Sequence, residues 1–128
     1  MINSKIINLS GGERQKLALI QAFSLPIKAL VLDEPFSQLD TEQKIDLINL
    51  VKTEVEENNI PCLLISHDIS DILKLSSEIG IIENGKIVFQ GNWQKFKTSK
   101  NKQANKLKNA LIYWKEQTDQ LIGNLKFS

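Results

Sequence analysis

The chain of 128 residues sets 16 Lys and Arg against 15 Asp and Glu, with 41% hydrophobic and 24% charged residues. That composition is ordinary for a globular protein, one small domain or part of a larger one, and its near-zero charge names no partner. Met1–Ser10 has no signal-peptide pattern, no apolar run approaches the ~20 residues of a membrane span, and the single Cys62 excludes an internal disulfide and suits a reducing cytosol.

In chain order, Ser10 followed by Glu13 forms the pattern of a capping box, which opens a helix over Gly11–Ser24 with Leu17, Ile20 and Phe23 on its apolar face; Pro26 stops it. Ala29–Leu32 is a short continuous apolar run, the pattern of a strand buried on both sides. Thr41–Asn58 reads as a second helix, capped by Asp40 or Thr41, that buries Ile45, Ile48, Val51 and Val55. Ile60–Ser66 reads as a second buried strand with Cys62 as core filler, and Ser70–Ser76 as a short helix. Two apolar runs then flank Asn84-Gly85, the strongest short signal for a hairpin, and Gly91 ends the second run.

Charge is unevenly spread. Eight acidic residues lie between Asp33 and Glu57, and six lysines with no acid lie between Lys95 and Lys108. Lys95–Asn105 reads as a loose linker. Beyond it Leu107, Leu111, Trp114, Thr118, Leu121 and Leu125 recur at helical spacing, a stripe suited to packing on a neighbour. The alternation of strands and helices is that of an α/β fold with a parallel sheet.

Two segments carry chemistry. Ser10, Gly11 and Gly12 present a hydroxyl and unobstructed amides at a helix N-terminus, where the helix dipole favours a phosphate; alone, the same residues make an ordinary cap. Asp33 and Glu34 end an apolar strand, at the sheet edge where open α/β folds bind ligands. An aspartate there can hold Mg²⁺, and a glutamate beside it can orient and deprotonate a water. His67, the only histidine, follows the next strand and so reaches the same edge, where it can hydrogen-bond a phosphate. A Gly-rich phosphate loop with its lysine is absent from the sequence.

Taken in order, these pieces resemble the second half of an ATP-binding cassette (ABC) ATPase, from about Leu9 to Gly91. Leu9–Gln15 resembles the family's signature motif, Leu30–Glu34 its Walker B strand, Ser37–Asp40 its D-loop and His67 its switch histidine. The resemblance implies an incomplete P-loop NTPase fold over residues 1–94, a parallel sheet flanked by helices, then a lysine-rich linker at 95–106 and a C-terminal amphipathic helix at 107–128. It implies ATP and Mg²⁺ as cofactors, with Glu34 as general base, Asp33 on the metal and His67 on the γ-phosphate. Ser10, Gly11 and Gly12 would grip ATP held by another subunit, because two cassettes of this family meet head to tail, and Gln15 and Asp40 would be further cofactor-binding residues.

The Walker A loop, the adenine-stacking aromatic and the Q-loop have no counterpart in the sequence. The expected partners are therefore a Walker A-bearing N-terminal half or second ABC subunit, together with a transmembrane permease subunit, and no nucleic acid. The expected location is cytoplasmic, peripheral on the inner face of the cell membrane. In this family the Walker A strand lies between the strands that correspond to Ile60–Ser66 and Ile79–Ile82, so both would be left with unpaired backbone and apolar side chains. A non-catalytic module that completes a partner's ATP site, and the C-terminal lobe of a chromosome-maintenance or DNA-repair ATPase, are the alternatives.

Overall fold

A computed structural model of the chain describes residues 8–124, with side chains to residue 120. The fold is α/β and divides between Leu75 and Ser76 into two compact units. In the first, helix α1 (Gly11–Phe23) leads to strand β1 (Leu30–Asp33), helix α2 (Thr41–Glu57), strand β2 (Cys62–Ile65) and helix α3 (Ile69–Leu75).

Strands β1 and β2 pair in parallel, Leu30 opposite Cys62, Val31 opposite Leu63 and Asp33 opposite Ile65. Side chains alternate along each strand, so Leu30, Leu32 and Leu64 share one face and Val31, Asp33, Leu63 and Ile65 the other. The first face meets the helices: Leu30 and Leu32 join Leu19, Phe36, Leu47, Ile48 and Val51 in one core. Leu47 and Val51 of α2 are the most deeply buried, each worth on the order of 1.5–3 kcal/mol of apolar transfer.

The second face is bare, which corrects the expectation of strands buried on both sides. Val31 is 64% exposed, Leu63 58% and Ile65 46%. Within this unit the sheet has only two strands, and no helix of the unit lies over its second face. Parallel strands ordinarily need both faces covered. Cys62 is exposed as well; it borders a shallow hollow lined by Val51, Val55 and Leu75 instead of filling the core.

Helical spacing also misplaced two side chains. Ile20 and Ile45 are 45% and 49% exposed, whereas Leu19 in α1 and Leu47 in α2, which the spacing passed over, are buried. The short strands meet each helix along a narrow strip, so burial is confined to Leu19 in α1 and to Leu47, Ile48 and Val51 in α2 among the large side chains. Asn59, at φ 50, closes α2 in the left-handed conformation, and Ile60 donates back to the Val55 carbonyl at 3.0 Å.

In the second unit β3 (Glu78–Glu83) and β4 (Lys86–Asn92) form an antiparallel hairpin around Asn84-Gly85. Both turn residues have positive φ, 50 and 72, as a two-residue turn of type I′ requires. Gly91 lies inside β4, buried and opposite Ile79, so the strand runs past the glycine expected to end it. The third strand thus pairs with its sequence neighbour in a separate sheet and does not extend the parallel one.

The lysine-rich stretch is folded, not a loose linker. Asn92 caps helix α4 (Trp93–Thr98), and the Asn101 carboxamide accepts from the Gln103 and Ala104 amides to open helix α5 (Lys102–Asn124). Phe96 and Ala104 are buried while most of the lysines point outward, and Lys108 Nζ bonds the Ser99 carbonyl at 2.6 Å. Leu107 and Leu111 of the stripe are half-buried and Trp114 is 70% exposed. The side chain of Leu121 and all of Leu125 lie outside the described residues.

Candidate functional site

At the start of α1 the capping box is formed in full. The Ser10 hydroxyl accepts from the Glu13 amide at 3.2 Å, and Glu13 Oε2 accepts from the Ser10 amide at 2.8 Å. The Glu13 carboxylate therefore occupies one of the amides that an anion would otherwise use. Gly11 faces open space, with nothing within 4 Å of where a Cβ would stand. Gly12 is buried, and a Cβ there would meet the Gln43 carboxamide at 2.5 Å. Gln15 lies half-buried at the end of this first turn.

Gln43 belongs to the cap of α2. Asp40, rather than Thr41, is the N-cap: its Oδ1 accepts from the Gln43 amide at 2.8 Å, and Gln43 Oε1 accepts from the Asp40 amide at 3.4 Å. The structure thus places Gly12 against the first turn that Asp40 caps. Loss of the cap in Asp40→Ala is expected to cost about 0.5–2 kcal/mol, read as a lower urea midpoint with unchanged slope.

The second group forms where β1 and β2 end. The Glu34 amide donates to the Ile65 carbonyl at 2.8 Å, continuing the ladder one step, and Glu34 then turns left-handed at φ 47. A non-glycine residue held there is strained, and such strain gathers at functional sites. The turn directs the carboxylate across to His67, the second residue after β2. Glu34 Oε1 accepts from the His67 amide at 2.9 Å and lies 2.8 Å from His67 Nδ1.

An ionised carboxylate accepts only, so Nδ1 carries the proton and Nε2 points away from Glu34, free to meet a ligand. The hydrogen bond and charge of Glu34 raise the His67 pKa above its ordinary value. Glu34 Oε2 makes no hydrogen bond among the described residues, nor does the Asp33 carboxylate beside Val31 on the bare sheet face. Pro35 and Phe36, the next residues in the chain, are buried, with Phe36 in the core.

The structure keeps the two segments apart as two clusters. Ser10, Gly11, Gly12 and Gln15 lie with Asp40 around the first turns of α1 and α2, and Asp33, Glu34 and His67 lie at the strand ends. No hydrogen bond among the described residues joins the clusters directly. Among those residues no three His, Cys, Asp or Glu side chains converge on one point.

Sequence reasoning missed a third group, Lys44 with Asp68 and Asp71. Lys44 Nζ lies 2.9 Å from Asp68 Oδ2 and 2.8 Å from Asp71 Oδ1. The Asp71 contact is an ion pair rather than an aligned hydrogen bond, and the Asp71 side chain is only 4% exposed. Burial lowers the Lys44 pKa, but the two carboxylates outweigh it and leave the ammonium above its ordinary value. Burial likewise opposes ionisation of Asp68, yet bonds from Ser70 and Lys44 hold its carboxyl at about 2. Nothing in the spacing of Lys44 and Asp71 announces this contact, because the strand between them brings it about.

No family model matches the chain. It is 34% identical to the molybdate/tungstate import ATP-binding protein WtpC of Archaeoglobus fulgidus over 79% of this chain and 42% of that protein. Identity with the thiamine import ATP-binding protein ThiQ of Vibrio parahaemolyticus is 39%, over 62% of this chain and 34% of the relative. An uncharacterized ABC transporter ATP-binding protein of Methanocaldococcus jannaschii is 33% identical over 71% of the chain and 31% of its own length. The chain thus spans less than half the length of each of these relatives. The agreement in sequence with several such proteins, on a small α/β fold with a parallel strand pair, shows that the chain belongs to the ATP-binding cassette ATPase family.

Proposed function

We propose that the chain is the signature-bearing part of a transporter's ATP-hydrolysing subunit, and that it works only when joined to a polypeptide carrying a Walker A loop. The observation that carries this reading is the bare sheet face. Val31, Leu63 and Ile65 expose apolar surface that a parallel pair ordinarily buries, and Asp33 ends the same face. Whatever covers that face comes up against Asp33 and the adjoining Glu34–His67 pair. A phosphate-cradling segment placed there would complete a site whose other parts are already formed.

The residues present fit the expected cofactors. Mg²⁺ is commonly held by one or two carboxylates with phosphate oxygens and water making up the rest, and the Asp33 carboxylate is without a protein partner among the described residues. When bound, the ion supplies charge neutralisation at the phosphoryl oxygens. Glu34 would take a proton from water through Oε2 while His67 anchors Oε1. His67 Nε2 would face the terminal phosphate. The open space over Gly11 would admit phosphate held by a second subunit.

No helix among the described residues is long and apolar enough to cross a membrane. Attachment to a membrane would come through a permease subunit, with this chain on the cytoplasmic side. The relatives named for import support the transporter class, and the transported substrate would be set by other subunits.

The test begins with MgATP binding to the full 128-residue chain by calorimetry. No saturable binding is expected, because no loop in the sequence wraps the β- and γ-phosphates. Adding the Walker A-bearing half of a related cassette should then produce both binding and turnover. Binding by the chain alone at the affinity of a complete ATPase would sink the reading.

A further inference from the structure

The His67 ring is 81% exposed, so packing does not hold it where Glu34 can reach it. What holds it is the backbone on either side. Ser66 Oγ accepts from the Asp68 amide at 3.0 Å and lies 3.4 Å from both the Asp68 carbonyl and Asp71 Oδ2. Asp68 Oδ1 accepts from the Ser70 amide and hydroxyl at 2.9 and 2.7 Å, while Asp68 Oδ2 faces Lys44. The residues before and after His67 thus belong to one network, and Asp71, buried in it, has Lys44 as its cation.

We propose that Lys44 is a positioning residue for His67: its ammonium joins Asp68 to Asp71 and so fixes the turn between β2 and α3 that delivers His67 to Glu34. Lys44 stands on α2, one residue after Gln43, so the helix capped by Asp40 sets the place of the histidine. Without the ammonium two carboxylates face each other, one of them nearly buried, and the start of α3 relaxes toward water. The inference rests on the reading of Glu34 and His67 as a working pair, but it concerns their geometry and needs no nucleotide.

The sole histidine makes the test direct. In the full chain labelled with ¹⁵N-histidine, the ring nitrogens are followed by NMR at a pH where the imidazole is neutral. The wild type is expected to show the Nδ1–H tautomer fixed by Glu34, with slow exchange of the His67 amide. Lys44→Met should return the ring to the Nε2–H tautomer of a free imidazole and speed amide exchange at least tenfold, and Lys44→Arg should restore both signals.

A purely electrostatic role moves the ring the other way, because two unpaired carboxylates nearby favour the doubly protonated imidazole. If Lys44→Met fails to fold, Lys44→Met with Asp71→Asn leaves no buried unpaired charge and decides the question. Release of His67 in that double variant supports the clamp, and a wild-type tautomer with wild-type amide exchange overturns it. Absence of ATP turnover in the completed enzyme would count against the proposed function and leave this result standing.

Discussion

Glu34→Gln is expected to lower ATP turnover by roughly 10²–10⁴-fold in the chain completed with a Walker A-bearing half, the range that a general base contributes. The argument rests on how the two carboxylate oxygens are used. Oε1 is engaged by the amide and ring of His67, whereas Oε2 makes no bond within the described residues. A glutamine can still accept from the His67 amide through its carbonyl oxygen, so the turn at φ 47 retains its tie to the second strand.

What the glutamine loses is the capacity to take a proton. Nucleotide binding should therefore persist within a fewfold while the rate of hydrolysis collapses, and single-turnover measurements with labelled ATP separate the two. The same substitution removes the acceptor charge that raises the His67 pKa, so the histidine should titrate lower than in the wild type. Turnover equal to wild type would remove Glu34 as the base and leave its contact with His67 as structural.

The features that the sequence announces are those set by neighbours along the chain. Ser10 and Glu13 form their box because three residues separate an N-cap from the amide it satisfies, and Asp40 with Gln43 repeats the arrangement. Asn84-Gly85 makes its turn because both residues tolerate positive φ. The pairing of Glu34 with His67 was legible only as far as the shared sheet edge, since two parallel strands must end side by side for the residues beyond them to meet.

What escaped the sequence depends on partners far apart in the chain. The run from Leu30 to Leu32 has the composition of a strand covered on both sides, but Val31 faces outward because nothing in its own unit lies over it. Phe36 looks like a loop residue and is 3% exposed, packed in the core behind the Glu34 turn. Ile45 and Leu47 are both apolar positions of α2, and only the geometry of the sheet beneath decides that Leu47 is the buried one. Lys44 resembles any surface lysine until β2 brings Asp68 and Asp71 against it. Local physics shaped the elements, and contacts between distant parts of the chain decided most of what was misread.

The bare face can be tested through its energy. Replacing Val31 and Leu63 together by serine is expected to weaken capture of the complementing half on the order of 10²-fold while leaving the chain's own stability nearly unchanged. Full burial of a valine or leucine contributes about 1.5–3 kcal/mol. With Val31 64% and Leu63 58% exposed, more than half of that gain is still unrealised at each site and becomes available only on assembly. Two such side chains amount to about 2–4 kcal/mol, and every ~1.4 kcal/mol is a tenfold change in affinity. The core that stabilises the chain alone lies on the opposite face, at Leu30, Leu32, Leu47 and Val51, and neither substitution touches it. Titration of the labelled half into each variant gives the affinity, and urea melts of the isolated chains give the stability. Equal affinity for wild type and variant would mean that the partner docks elsewhere, and the bare sheet face would then need another occupant. A variant that binds weakly yet melts with the wild type would place the assembly surface on the face that ends at Asp33.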